Sequence, residues 1–396
     1  MSFLFNFLNY ANDYMLLNYH LPRYFSQSVK KEIGELYASS AIANMALSIT
    51  LMFEPIFLYA VLGFTVPQVL LFMAMVYGLY IVTIPLGGRI ASVYGYKHAI
   101  AMSVPFQILY WVLLLVSREN PSWAFLAAAA LALQKTFYWP GFHALMARYA
   151  DRQQVGREFG VVYSIISVSH IVGPFLGGWL AERFGTTAMF AMAMLVYCFS
   201  VIPLFMAKEV FIPKLYHFKD TWKLYKTCPK KFLGYLGFGE ELLVLVIWPI
   251  FIFTVVKDYE ETGALATVAS LVAAVLALIV GKITDQYTKR VLIKLGAFFS
   301  CLVWLARIPL KTVWNVFTAD AMSRASKEMS FIPISTVTYI RAAATHVVPY
   351  AVFFEQSLAV GKLLACIIGV ILFSLTGSFV VLFILGALFS LLYMYI

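Results

Sequence analysis

From about Leu36 onward the chain is a succession of apolar runs, each 18 to 29 residues long, separated by short clusters of Lys, Arg, Gly or Pro. A helix needs about 20 mostly apolar residues to cross the hydrocarbon of a bilayer. The runs therefore predict spans at Leu36–Leu62, Val66–Ile90, Ala99–Val116, Ser122–Ala147, Phe159–Ala181 and Thr186–Ala207. Six more are predicted at Phe232–Val256, Thr262–Ile283, Val291–Ile308, Val313–Arg341, Val348–Leu375 and Phe379–Ile396. The expected fold class is all-α integral membrane, with twelve transmembrane helices in two six-helix bundles. The expected divisions are an N-terminal cytoplasmic or interfacial segment 1–33, bundles 34–207 and 232–396, and a hinge loop 208–231. Within the first segment, Ser2 to Leu21 alternates apolar Leu4, Phe7, Leu8 and Ala11 with polar Asn6, Asn9, Asn12 and Asp13. That pattern suits either a helix lying in the membrane surface or a loose tail, and it lacks the basic start of a cleaved signal peptide.

The hinge carries Lys208, Lys214, Lys219, Lys223, Lys226, Lys230 and Lys231, together with Pro213 and Pro229. Loops rich in Lys and Arg stay in the cytoplasm. With the N-terminus inside, the inner side receives these lysines and most of the other basic residues. The outer side receives Arg118, Arg183, Lys257, Arg307 and Lys311. A multi-pass protein of the cell membrane with both termini cytoplasmic is the expectation.

Composition agrees: 62% of residues are hydrophobic and 12% charged, with a mean hydropathy of +0.85, against roughly 45–50% apolar and about 25% charged in soluble domains. The net charge of +10 marks topology and not a nucleic-acid surface, because the basic residues sit at the ends of apolar runs. Cys198, Cys228, Cys301 and Cys366 lack metal-ligand or CxxC spacing. No Walker phosphate loop, HExxH or strand-borne GxSxG motif occurs, so ATP drive, hydrolase chemistry, a cofactor and a metal are not expected.

The sequence repeats itself at an offset of about 193 residues. Pro55 meets Pro249, Gly88 meets Gly281, Pro140 meets Pro333 and Arg148 meets Arg341. Two units in register predict bundles related by an axis along the membrane normal, with a cavity between them. The loop after span two reads Gly88-Arg89-Ile90-Ala91-Ser92-Val93-Tyr94-Gly95-Tyr96-Lys97, and its second copy runs from Gly281 through Asp285 to Arg290. In these residues the chain resembles the major facilitator superfamily, whose loop signature has an acid where Ser92 stands and a second Gly where Thr288 stands. The resemblance covers nearly the whole chain from Leu36 and implies that this loop steadies the outward-facing state. Gly173-Pro174 and Gly177-Gly178 in span five are similar to the signature of the family's proton-driven exporters, with Ser169 where a Gly is usual. The Pro removes a backbone hydrogen bond and the glycines permit a close crossing, so this span is expected to bend and pack tightly.

Charges in the bilayer centre cost about 2.5–3.5 kcal/mol on insertion scales and so face partners or a wet cavity. Lys135, Trp139 and His143 share a face of span four, and span ten carries Asp320, Arg324, Lys327 and Glu328 with i, i+4 spacings for Asp320–Arg324 and Arg324–Glu328. Lys135 and Glu328 are repeat equivalents. In the resembled family, spans one, four, seven and ten line the cavity, so these two residues are expected to face each other or a substrate. Glu240 or Glu241 adds an acid on span seven, Glu355 and Lys362 share a face of span eleven, and His170 lies within span five. Glu240, with no base within one turn, is the expected proton carrier. Glu54 is expected to snorkel toward the headgroups. Trp139 and Trp248, each beside a repeated Pro, are candidate ring contacts.

These features predict a monomeric, proton-coupled transporter in the lipid bilayer. It exports a small amphipathic molecule, takes up an anionic nutrient, or serves as a non-transporting sensor or scaffold on the same fold.

Overall fold

The computed structural model describes residues 31–149, 155–206, 215–286, 288–310 and 312–396. Ser2 to Leu21, Lys208, Pro213 and Lys214 lie outside these residues, as do the side chains of Arg148 and Asp285 and the surroundings of Gly281. Every predicted span is helical. Span one runs over Lys31–Thr50, breaks, and resumes as Phe53–Ile56 followed by a π-helical turn, Phe57–Val61. Pro55 has no N–H to return to Leu51, which accounts for the interruption. Spans two, three and four are Val66–Tyr94, Tyr96–Val116 and Trp123–Tyr149. Spans five and six are the two arms of one helical run, Val155–Phe199, bent at Gly185 with φ 82° and ψ 161°, a backbone shape that L side chains avoid.

The second half repeats this order. Span seven comprises Pro229–Leu236 and Gly239–Val256, then come Tyr259–Gln286, Lys289–Ala306, Val313–Ala344 and Val347–Thr376 as spans eight to eleven. Span twelve is Phe379–Leu392 with a 3₁₀ turn, Tyr393–Tyr395. A short hinge helix, Phe218–Thr227, precedes span seven. Several helices start three to five residues before the apolar run that predicted them, because the backbone ladder continues into polar residues that lie beyond the hydrocarbon. Among the described residues, six helical segments are long and apolar enough to cross a membrane by composition. Span ten is not among them, since it carries Asp320, Arg324, Lys327 and Glu328.

Helix pairing obeys the sequence repeat. Spans one and five pack together as do seven and eleven, two with four as eight with ten, and three with four as nine with ten. Between halves, span five packs on eight and span two on eleven, pairs that interchange when six is added to each number. Small residues allow these crossings. A Cβ at Gly173 would strike Ser48 of span one, and one at Gly178 would strike the Tyr259 carbonyl that opens span eight. Ser169, in the place of a glycine, accepts a hydrogen bond at its carbonyl from Ser48 Oγ (2.9 Å) and donates its own Oγ to the Ala41 carbonyl (3.3 Å).

Gly177 tests this packing, because a Cβ there would meet the Ile49 carbonyl and approach Phe53 Cε2 to 2.9 Å, whereas one at Gly78 meets nothing within 4 Å. Gly177→Val is expected to lower stability by about 1–3 kcal/mol. Gly78→Ala is expected to raise it by about 0.5–1 kcal/mol through helix propensity. Melting temperatures of the detergent-solubilised variants check both directions.

Candidate functional site

The charged side chains of the spans sort into groups within each half and groups that bridge them. At mid-depth, Tyr77 of span two receives two ammonium groups on its ring. Lys135 Nζ of span four lies 5.8 Å from the centroid and Lys362 Nζ of span eleven 5.3 Å from it, both within cation–π range. Lys362 also pairs with Glu241 (2.7 Å), whose other oxygen holds Lys327 (3.2 Å). Lys135 makes no ion pair among the described residues. Two ammonium groups thus hold one carboxylate, and the half-buried Lys135 shares the Tyr77 ring with one of them.

Nearer the hinge end, a second cluster ties the halves together. His143 Nε2 of span four lies 2.6 Å from Glu355 Oε1 of span eleven, and Tyr80 of span two donates to Glu355 Oε2 (2.8 Å). The other ring nitrogen of His143 shares a hydrogen bond with Tyr339 OH of span ten (2.7 Å). Trp139 stacks on the imidazole with ring centroids 5.3 Å apart. One residue further along, Gln356 donates to the Ile81 carbonyl (2.9 Å). Here the repeated glycine earns its place, since a Cβ at Gly88 would meet Val352 of span eleven at 2.6 Å.

The loop signature is built from unexpected partners. Lys97 is buried and forms a 2.6 Å pair with Glu35 of span one. Ser92, where the family has an acid, donates to the Arg89 carbonyl (2.8 Å) and accepts the backbone N–H of Tyr216 from the hinge (3.3 Å). Gly95 ends span two with φ 110°, and Arg290 is exposed at the start of span nine.

Several expectations are corrected. Lys135 and Glu328 form no ion pair among the described residues: a residue and its repeat mate meet only near the symmetry axis, and each of these is aimed by its own bundle. Glu328 is buried with Oε2 unbonded, and Arg324 pairs with Asp320 (3.0 Å) and not with Glu328. Glu240 does not look into the gap; it accepts from Trp304 Nε1 (3.0 Å) and Tyr393 OH (3.4 Å) inside the C-terminal half. A helix turns about 100° per residue, so Glu241 faces the lysines when Glu240 does not. Glu54 does not snorkel, because Thr50, Tyr110 and Trp111 donate to it at 2.8–3.0 Å in a buried pocket. Arg307 is not an outer-loop charge: it is fully buried, with its guanidinium 4.0 Å from the Trp248 ring and 3.9 Å from Trp304, donating to Ser323. Trp248 itself donates to Asp320 (2.8 Å) and so belongs to this wall of the bundle. His170 is half-buried.

Sequence reasoning missed Tyr77, Tyr80 and Tyr339, since tyrosines are abundant in such spans. The indole donors Trp111 and Trp304 were legible, being 193 residues apart and each directed at a buried glutamate.

Two repeated six-helix bundles, joined through charged and aromatic side chains of spans two, four and eleven, are the architecture of a polytopic membrane protein. The sequence matches the family model "Major Facilitator Superfamily" over residues 36–317, and the chain belongs to that family, whose members move small molecules across membranes. Among curated relatives, Multidrug resistance protein MdtG of Serratia proteamaculans (strain 568) is 23% identical over 237 residues, covering 56% of this chain and 55% of the relative. MdtG of Klebsiella pneumoniae (strain 342) is 30% identical over 119 residues, 30% of this chain and 27% of the relative. The chain thus spans about half the length of the first relative and about a quarter of the second. Among solved structures, the human organic anion transporter MFSD10 (TETRAN) superposes with a TM-score of 0.68 at 12% identity, covering 92% of this chain and 98% of that one. The transporter FucP in the outward conformation gives 0.64 at 11% identity, with coverages of 92% and 98%. These likenesses establish the fold.

Burial separates two ion pairs of the hinge end. Lys97→Met strips a buried carboxylate of its partner and is expected to cost about 3–5 kcal/mol. Lys223→Met, which breaks an exposed pair with Asp220, is expected to cost no more than about 1 kcal/mol. Denaturation of the solubilised variants measures the contrast.

Proposed function

We propose that this chain is a proton-coupled exporter of a small amphipathic organic anion, working by alternating access between its two halves. One observation carries the reading: Lys135, which makes no ion pair among the described residues, presents its ammonium group to the ring of Tyr77, which a lysine of the opposite half also covers. With Lys327 and Lys362 sharing Glu241 and Lys135 beside them on Tyr77, this part of the interface offers ammonium groups with which an anionic group would pair. Tyr77 and Trp139 supply apolar surface for the rest of such a molecule.

Export is supported by the Gly173-Pro174 and Gly177-Gly178 pattern of span five and by the printed name of the MdtG relatives. The Lys and Arg bias supports a cytoplasmic hinge end in the cell membrane. The proton is assigned to Glu355. It holds His143 and Tyr80 of the other half while it is a carboxylate, and protonation removes the charge that makes both bonds strong. The hinge end is thereby loosened and the halves can rock.

In proteoliposomes under an imposed pH gradient, amphipathic anions are expected to evoke proton movement and cations of similar size are not. Lys135→Met is expected to weaken anion binding by roughly tenfold to a hundredfold, since a hydrogen bond to a charged group contributes about 1.5–3 kcal/mol, while Lys135→Arg retains most of it. Glu355→Gln is expected to abolish proton movement without abolishing binding, whereas Glu240→Gln preserves it. Equal response to cations, or unchanged binding in Lys135→Met, refutes the anion assignment. Absence of proton movement with every compound favours a non-transporting sensor.

A further inference from the structure

The hinge helix has a finished inner face and an unfinished outer one. On the inner side Thr221 donates to the Pro349 carbonyl (3.1 Å), Tyr225 donates to Gln356 Oε1 (3.1 Å), and the Tyr225 ring meets Phe353 edge-on. All three partners belong to span eleven. Going around the helix at about 100° per residue, the next positions are Phe218 and Trp222, in ring contact with each other and exposed by 42% and 54%. Beyond them lie Lys226, Lys219 and Lys223, all exposed. Leu215 extends the apolar strip before the helix, and Lys230 extends the basic one after it. Asp220 is the acid of this helix and is held by Lys223 at 3.3 Å.

The helix is fixed at the level of the membrane surface, because span seven begins at Pro229, two residues after it ends. Aromatic rings beside the protein wall with lysines further out match the layering of a leaflet, in which acyl carbons give way to phosphates. A soluble acidic protein would satisfy the lysines and leave Phe218 and Trp222 in water, whereas neutral lipid would cover the rings and leave the lysines without counter-ions. Anionic phospholipid completes both strips.

We propose that the hinge helix is a docking site for anionic phospholipid headgroups, read by Lys219, Lys223, Lys226 and Lys230, with Phe218 and Trp222 inserted at the acyl boundary. The site also touches both halves of the transporter. Tyr216, just before the helix, donates its N–H to Ser92 of span two, and the helix rests on span eleven. Bound lipid therefore steadies the contact of those two spans at the hinge end.

The test uses the full chain in phosphatidylcholine vesicles carrying the same molar share of brominated phosphatidylglycerol or brominated phosphatidylcholine. The signal is the part of tryptophan quenching lost in Trp222→Phe. Near an anionic surface each lysine enriches the lipid about fivefold. Half-quenching is therefore expected at no more than about one fifth of the lipid share for phosphatidylglycerol, and the difference should shrink at high salt. A Lys219→Glu, Lys223→Glu, Lys226→Glu variant is expected to lose the difference. Equal quenching by both lipids overturns the proposal in favour of plain apolar insertion. Identical quenching in wild type and Trp222→Phe overturns it altogether, and a difference that survives the triple variant removes the lysines from the site. Should the triple variant fail to fold, the wild-type comparison of the two lipids decides alone.

Discussion

Hydrocarbon cannot solvate a charge, so each ionisable side chain inside the spans needs a protein partner or access to water. That constraint organises the interior. Within one half, some charges are paired, as Lys97 with Glu35, Arg324 with Asp320 and Glu241 with two lysines, and others are held by neutral donors, as Glu54 by Thr50, Tyr110 and Trp111, and Glu240 by Trp304 and Tyr393. The bridging set is smaller and differs in kind. Glu355 takes its partners from spans two and four, and Lys362 leans on Tyr77. Stability therefore rests mainly on pairs internal to each bundle. The movable part depends on a few contacts that can be exchanged.

Helix crossings between halves follow the same division. Spans five and eight meet through glycine-backbone contacts, among them Gly178 against Tyr259 and Gly263 against Pro174. Small residues let the two backbones approach closely there. At the hinge end, spans two and eleven combine a close approach at Gly88 with the polar tie of His143 and Glu355. The two inter-half contacts differ: one joins backbones closely, with a hydrogen bond from Thr267 to the Ile171 carbonyl, and the other carries the buried pair of His143 and Glu355.

Much of the fold was legible because lipid imposes a one-dimensional signal: apolar length fixes the spans, and the repeat fixes their pairing. The break in span one and the bend at Gly185 were less visible, since they arise from a single Pro and a single Gly within long apolar runs. The site was legible in composition and not in direction. Glu355 and Lys362 are buried, but Glu240 was the expected proton carrier where Glu241 holds the lysines, and of the two spacings read for Arg324 the one to Asp320 is an ion pair and the one to Glu328 is not. Spacing along a helix specifies neighbours at i+4 and i−4 equally, and only the facing helix decides between them. Tyr80 and Tyr339 escaped notice because their role is defined by a glutamate and a histidine distant in sequence.

Arg307 closes the argument about charge by inverting it. Its guanidinium carbon lies 4.0 Å from the Trp248 ring and 3.9 Å from the Trp304 ring, with one nitrogen bonded to Ser323. The flat group can stack on two ring faces at once, which a tetrahedral ammonium cannot do. The wall of the C-terminal bundle thus selects for flatness more than for basicity. A lysine there would keep the charge and lose the two-sided ring contact, so the spacing of the two indoles is set by the side chain between them.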